Sequence, residues 1–153
     1  MAEIRKAAVI GAGVMGAGIA AQIANGGVPV LLLDVVKEKE EDRSAITKKA
    51  IQRLLKSDPA PLMHKRNARL IAPGNIQDDL DQLGECDWII EAVIENIDIK
   101  RSLYEKIDLA RMSGSIISSN TSTIPLSQLT DGMPEGLEKD FLITHFFNPP
   151  RYM

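Results

Sequence analysis

The stretch Gly11-Ala12-Gly13-Val14-Met15-Gly16 decides the fold of this chain. A short apolar run, Ala7-Ala8-Val9-Ile10, precedes it. A run of small residues, Ala17-Gly18-Ile19-Ala20-Ala21-Gln22-Ile23-Ala24, follows it. The order is strand, glycine turn, helix, and the spacing is G-x-G-x-x-G. The first glycine makes the tight turn, the second lets backbone approach a pyrophosphate, and the third lets helix and strand pack closely. The helix then points its free N–H groups and positive dipole end at the phosphates. Glycine turns also occur where a helix merely crosses a strand at close range, so a second residue has to support this reading. That residue is an acid about 20 positions on, placed to bond the ribose hydroxyls. The next apolar run, Val28-Pro29-Val30-Leu31-Leu32-Leu33, ends in Asp34. Val35 and Val36 follow, with no immediate arginine for a 2′-phosphate. The expected cofactor is therefore NAD rather than NADP, with Gly11, Gly13 and Gly16 at its phosphates and Asp34 at its ribose.

Length and composition agree with an ordinary globular domain. The chain has 153 residues, 44% hydrophobic and 25% charged, enough for one core. The net charge of −3 gives no reason to expect nucleic acid or an anionic membrane as partner. One cysteine excludes a disulfide framework and a cysteine metal site, which makes a cytoplasmic location the default expectation. Arg5-Lys6 ahead of residues 7–24 could pass for a signal peptide or a membrane span. The run is mostly Gly and Ala, too weakly apolar for either, and its glycines fall at phosphate-turn spacing.

Strands and helices alternate outward from the glycine turn. Residues 5–10 read as a buried strand, 14–25 as a helix ended by Gly26-Gly27, and 28–34 as a second strand. Residues 37–57 read as one long helix, with Ala45, Ile46, Ala50, Ile51, Leu54 and Leu55 on one face. Its other face carries Lys48, Lys49, Arg53 and Lys56, a solvated surface or a seat for an anionic ligand such as a CoA phosphate. A short helix over 61–68 and a short strand over 69–72 precede a turn at Pro73-Gly74. The near-continuous apolar run 88–94 reads as a strand buried on both faces, interrupted by Glu91. A helix over 97–112 has Ile99, Leu103, Ile107 and Ala110 facing inward. A strand over 115–119, a helix over 125–129, a surface loop over 131–139 and a last strand over 141–144 complete the chain. The alternation predicts an α/β fold with a doubly wound, mostly parallel sheet of the Rossmann type, forming a single domain over 1–153.

In open parallel sheets the ligand lies beyond the carboxyl ends of the strands. Three polar clusters fall there: Glu95-Asn96, Asn120-Thr121-Ser122, and His145 with Asn148. Glu95 and Asn96 lie at the strand end and are better site candidates than Glu91 inside it. A histidine beside a nicotinamide can take the proton of a hydroxyl as a hydride leaves. Ser122 can hydrogen-bond the same oxygen. The only other histidine, His64, lies apart in a surface segment, so no metal constellation appears.

The chain resembles the NAD-binding N-terminal domain of the 3-hydroxyacyl-CoA dehydrogenases of fatty-acid β-oxidation. The matching segments are G-A-G-V-M-G-A-G-I-A from Gly11, E-A-V-I-E-N from Glu91 with Lys100 beyond it, S-N-T-S from Ser119, and H-F-F-N-P from His145. The closing H-F-F-N-P-P-R-Y-M looks most like the long bacterial members. The resemblance implies Gly11, Gly13, Met15 and Gly16 at the pyrophosphate, Asp34 at the adenosine ribose, and Glu95, Lys100 and Asn148 near the nicotinamide half. It implies Ser122 at the substrate oxygen with Asn120 beside it, and His145 as general acid/base. The reaction implied is oxidation of a (3S)-3-hydroxyacyl-CoA with hydride passing to NAD. Two departures stand out. The family orients its histidine with a glutamate about a dozen residues downstream, as triad logic requires, and that position lies past Met153. The family's helical C-terminal domain, with the homodimer interface, is likewise not in this sequence. The chain therefore reads as a domain fragment, inactive alone and compatible with a monomer. In the long helix, Leu54 stands where some members have a CoA-contacting serine. Two other readings share the motif set: a dehydrogenase of a 3-hydroxy acid or sugar acid, and a non-catalytic NAD-responsive binding module.

Overall fold

The computed structural model describes residues 3–153. The run Ala7–Ile10 has no polar side chain on either face, so it can lie only in the middle of a covered sheet. It forms strand β1, Ala7–Ile10, buried throughout. The other strands are β2 (Val30–Asp34), β3 (Ile71–Asn75), β4 (Trp88–Glu91), β5 (Ile116–Ser119) and β6 (Phe141–Ile143). All pairings are parallel, in the order β3-β2-β1-β4-β5-β6. The helices are α1 (Val14–Asn25), α2 (Ala45–Lys56), α3 (Ile97–Ala110), α4 (Leu126–Leu129) and α5 (Glu135–Glu138). This is the doubly wound parallel α/β fold that the alternation predicts.

The period-two alternation of strands divides the core. Ala7 and Val9 of β1, with Val30 and Leu32 of β2, pack under α1 and α2. Ala8 and Ile10, with Leu31 and Leu33, pack with Leu103, Tyr104 and Ile107 of α3 and Ile117 of β5. The strand order reverses between β1 and β4, so their carboxyl ends open a crevice there. Among the described residues no helix is long and apolar enough to cross a membrane.

Several element bounds differ from the sequence reading. The long helix over 37–57 is α2 alone, Ala45–Lys56. Residues 37–44, K-E-K-E-E-D-R-S, offer no apolar side chain to the sheet, and Lys39 has φ of 70°. The helix over 61–68 is instead a 3-10 helix over Lys65–Leu70. The turn expected at Pro73-Gly74 is part of β3. β3 is an edge strand, where the missing N–H of Pro73 costs no ladder bond. Gly74 packs closely under Leu33 and Asp79, where a Cβ would lie 2.9 and 2.8 Å from their side chains. The strand over 88–94 stops at Glu91, because Val93 turns its N–H onto the Glu91 carboxylate at 2.8 Å. The loop over 131–139 holds the short helix α5, pinned by the buried Leu137. Ile99, expected to face inward, is exposed instead.

Candidate functional site

The glycine turn leaves β1 and enters α1 at the reversal point. Gly11 has φ of 106°, and a Cβ there would lie 2.5 Å from the Ala92 carbonyl oxygen. A Cβ at Gly16 would lie 1.7 Å from the Gly11 carbonyl oxygen. At Gly13 nothing lies within 4 Å, so the backbone there faces open space. These three environments match the turn, the close packing and the open approach that the spacing implies. Gly13 is the N-cap of α1 and no side chain caps that end, so its first N–H groups are free for an anion. Met15 sits in the first turn.

Asp34 ends β2, and its carboxylate meets the same turn. One oxygen accepts the Ala12 N–H at 2.6 Å and the other the Val35 N–H at 2.7 Å. A carboxylate has about four lone-pair sites, so two remain for a pair of hydroxyls. Beside it lies an open cavity of about 710 Å³ lined by Ile10, Val35, Val93, Ile94 and Ile99 with Asp34 at its edge. The apolar walls suit a flat heteroaromatic ring, the carboxylate its ribose, and the α1 N-terminus its phosphates. The residues therefore fit NAD. The exposure of Ile99 follows from this: it walls the cavity rather than the core.

A different kind of construction occupies β4, β5 and β6. Glu91, the acid inside an apolar strand, is fully buried. It accepts from Lys100 Nζ at 2.6 Å, Tyr104 Oη at 2.7 Å, Ser119 Oγ at 2.6 Å and the Val93 N–H. A buried charge is tolerated only when paired and hydrogen-bonded in this way. Burial, then the Glu91 carboxylate, push the Tyr104 phenol up, which keeps it a donor. Lys100, expected beside the nicotinamide, has its ammonium inside, shared between Glu91 and Glu95 at 3.3 Å. Sequence reading missed this hub. An acid in a buried strand with a lysine in the first turn of the next helix is the signal that could have found it.

Glu95 lies past the end of β4 and gathers the turn after β5. One oxygen accepts from Thr121 Oγ1, from Thr123 Oγ1 at 3.0 Å, and from the N–H groups of Ser122 and Thr123 at 3.2 Å each. Burial opposes its charge, but the threonine bonds and the Lys100 ammonium outweigh that and hold its carboxyl down at about 2. Asn96 caps α3, its side-chain oxygen accepting from the Asp98 and Ile99 N–H groups.

Ser122 and His145 leave neighbouring parallel strands. Ser119 pairs with Ile143 in register, so the two residues follow the carboxyl ends of β5 and β6 side by side. Side chains hold these exits together. Ser118 Oγ accepts from Trp88 Nε1 at 2.9 Å and Thr144 Oγ1 at 2.8 Å. Asn120 Oδ1 accepts the Phe146 N–H at 2.8 Å, next to His145. The His145 ring is exposed and lies 4.9 Å from that of Phe147. The chain then crosses to the glycine turn. Asn148 and Pro150 line a cavity of about 210 Å³ with Gly13 and Val14. A Cβ on Gly18 would lie 3.1 Å from Pro150. Arg151 fastens the end by donating to the Ala60 and Leu62 carbonyls. Of the expected site residues, Gly11, Gly13 and Asp34 line one cavity and Asn148 a second with Gly13, Ser122 and His145 follow the carboxyl ends of β5 and β6, and the Lys100 ammonium is buried between Glu91 and Glu95.

On α2, Lys48 and Lys49 pair with Asp42 and Glu40. Arg53 and Lys56 have no ion pair among the described residues and line an open cavity of about 410 Å³ with Lys49. Among the described residues no cluster of His, Cys, Asp and Glu could hold a metal ion.

A sequence model of the family described as "3-hydroxyacyl-CoA dehydrogenase, NAD binding domain" matches residues 6–153. A probable 3-hydroxyacyl-CoA dehydrogenase of Deinococcus radiodurans is 50% identical over 151 residues, covering 99% of this chain and 44% of that protein. One of Bacillus subtilis is 47% identical over 165 residues, covering 99% of this chain and 21% of that protein. The chain therefore spans less than half the length of these relatives. Among solved structures, (S)-3-hydroxybutyryl-CoA dehydrogenase from Ralstonia eutropha superposes with a TM-score of 0.74 at 32% identity, covering 99% of this chain and 52% of that one. The 3-hydroxybutyryl-CoA dehydrogenase of Escherichia coli superposes with a TM-score of 0.80 at 24% identity, over 99% of this chain and 31% of that one, which speaks to the fold alone.

Proposed function

Because the chain belongs to the 3-hydroxyacyl-CoA dehydrogenase NAD-binding domain family, whose cofactor is NAD, we propose that it supplies the cofactor half and the proton-transfer group of that reaction. The substrate is a (3S)-3-hydroxyacyl-CoA and the product the 3-oxoacyl-CoA. What supports the reading is that Gly13 of the glycine turn lines one cavity with Asp34 and a second with Asn148, while Ser122 and His145 follow the paired carboxyl ends of β5 and β6 in the same parallel sheet.

Gly11, Gly13, Met15 and Gly16 bring backbone to the pyrophosphate, and Asp34 takes the adenosine ribose hydroxyls. Glu95 and Asn148 face the nicotinamide half. Bound NAD supplies the acceptor for the hydride that leaves substrate C3. His145 takes the proton of the substrate hydroxyl as that carbon–oxygen bond becomes a carbonyl. Ser122 hydrogen-bonds the same oxygen and stabilises the charge that develops on it. Asn120 lies on the substrate side and holds the Phe146 N–H. The domain works as part of a longer enzyme whose helical domain closes the crevice and forms its dimer.

The test is His145→Gln in an enzyme carrying this domain. Turnover falls by about 10²-fold or more, the range of a general base, while NAD affinity stays unchanged. Retained turnover contradicts the assignment and favours a binding module.

A further inference from the structure

The charge cluster under the crevice has more parts than cofactor contact requires. Lys100 is 1% exposed, so its ammonium does not reach the crevice without leaving two carboxylates. Glu91 on β4 is satisfied by four donors from four separate residues, which makes it a fixed anchor. Glu95 is not anchored in that way. Its side chain is 36% exposed, and one of its oxygens is taken entirely by the turn 121–123. Among the described residues, Lys100 is the only partner of its other oxygen.

We propose that Lys100 is a positioning residue: seated on Glu91, it fixes the Glu95 carboxylate so that Glu95 gathers the turn 121–123 and presents Ser122. The value placed on Ser122 rests on the function proposed above, but the mechanical link does not. Three consecutive residues turn four donors toward one carboxylate oxygen, and the Lys100 ammonium 3.3 Å from the other oxygen gives the carboxylate a second fixed point, so that it does not rotate away from the turn. The ammonium does so from below, where it takes no space in the crevice. Glu91 supplies the opposite charge that lets a lysine be buried there. Tyr104 and Ser119 fix Glu91 in turn, so α3, β4 and β5 are tied to one turn through two carboxylates.

The discriminating variant is the double substitution Glu91→Gln with Lys100→Met. It removes both buried charges together, a change that cores tolerate far better than removal of one partner. Lys100→Met alone serves as a comparison. Amide hydrogen exchange and amide proton shifts of Ser122 and Thr123 are read by NMR, with the amides of β1 and β2 as internal reference. In the double variant the Ser122 and Thr123 amides exchange about tenfold faster or more, the loss of a charge-assisted bond, and their proton shifts move upfield. The β1 and β2 amides do not change. Glu95→Gln gives the same loosening with Lys100 still in place. Unchanged exchange and shifts at Ser122 and Thr123 in a folded double variant overturn the proposal. If NAD affinity falls in that variant while the turn is unchanged, Lys100 is a direct cofactor contact instead. Absence of NAD binding by the unmodified chain contradicts the function proposed above and leaves this link standing.

Discussion

The two sides of the crevice are built from different materials. On the β1–α1–β2 side the functional surface is backbone, exposed by glycines and finished by one carboxylate. On the β4–β5–β6 side it is a lattice of side chains in which Glu91, Lys100, Glu95 and the 121–123 turn hold one another. Backbone N–H groups at a helix end cannot be misprotonated or turned to another rotamer, so they suit a constant ligand such as a pyrophosphate. Proton transfer and substrate orientation need groups that titrate and point, and those have to be held from beneath. The cofactor side should therefore fail through steric intrusion, and the substrate side through unpaired charge.

The largest expected effect tests the second half of that statement. Glu91→Leu leaves Lys100 buried without its main partner and destabilises the chain by about 3–5 kcal/mol, measured by urea unfolding. An effect below about 1 kcal/mol would mean that water already reaches the pair, and the contrast between the two sides would weaken. Gly16→Ala comes next. Its new Cβ meets the Gly11 carbonyl, so the turn must shift, at about 3 kcal/mol, and NAD binding is lost. Asp34→Ala separates binding from stability: NAD affinity falls by about 10- to 100-fold, the loss of hydrogen bonds to a charged group, and the unfolding midpoint moves much less. Ser118→Ala unpairs Trp88 Nε1 and Thr144 Oγ1 at about 1–2 kcal/mol.

The smallest effect is a pH dependence. The Glu95 carboxyl is held down at about 2. A group with a lowered folded pKa contributes stability above its ordinary value and loses it as pH falls through the folded one. The stability difference between the native chain and Glu95→Gln is therefore full near neutrality and shrinks below about pH 4. A constant difference down to about pH 3 would show that Glu95 acts without its charge.

The same contrast explains what could be read from the sequence. Gly11, Gly13, Gly16 and Asp34 were legible because their roles follow from local geometry within one strand–helix–strand unit. The parallel, doubly wound layering followed from the alternation of apolar runs, whereas the strand order β3-β2-β1-β4-β5-β6 came from the structure. The placement of Ser122 and His145 just after strands was legible, while the roles expected of them rest on their motifs. Nothing in the sequence spacing shows that Ser119 and Ile143 come into register. The buried pairing of Glu91 with Lys100 was not legible, for a physical reason. A polar residue in a buried strand looks like an interruption until its partners, two of them on helix α3, are brought alongside. The N-terminal part of the long helix was misread because a charged run has good helix propensity but no apolar face to bind the sheet. Pro73-Gly74 reads as a turn in isolation, and only its place at the sheet edge makes it strand.

The central claim is that the glycine turn and Asp34 make this chain an NAD site. Titration calorimetry of the chain with NAD and NADP tests it most directly. The account predicts saturable binding of NAD, at least about tenfold weaker binding of NADP because its 2′-phosphate meets the Asp34 carboxylate, and loss of that preference in Asp34→Ala. Equal affinity for the two dinucleotides, or no binding of either, would contradict it.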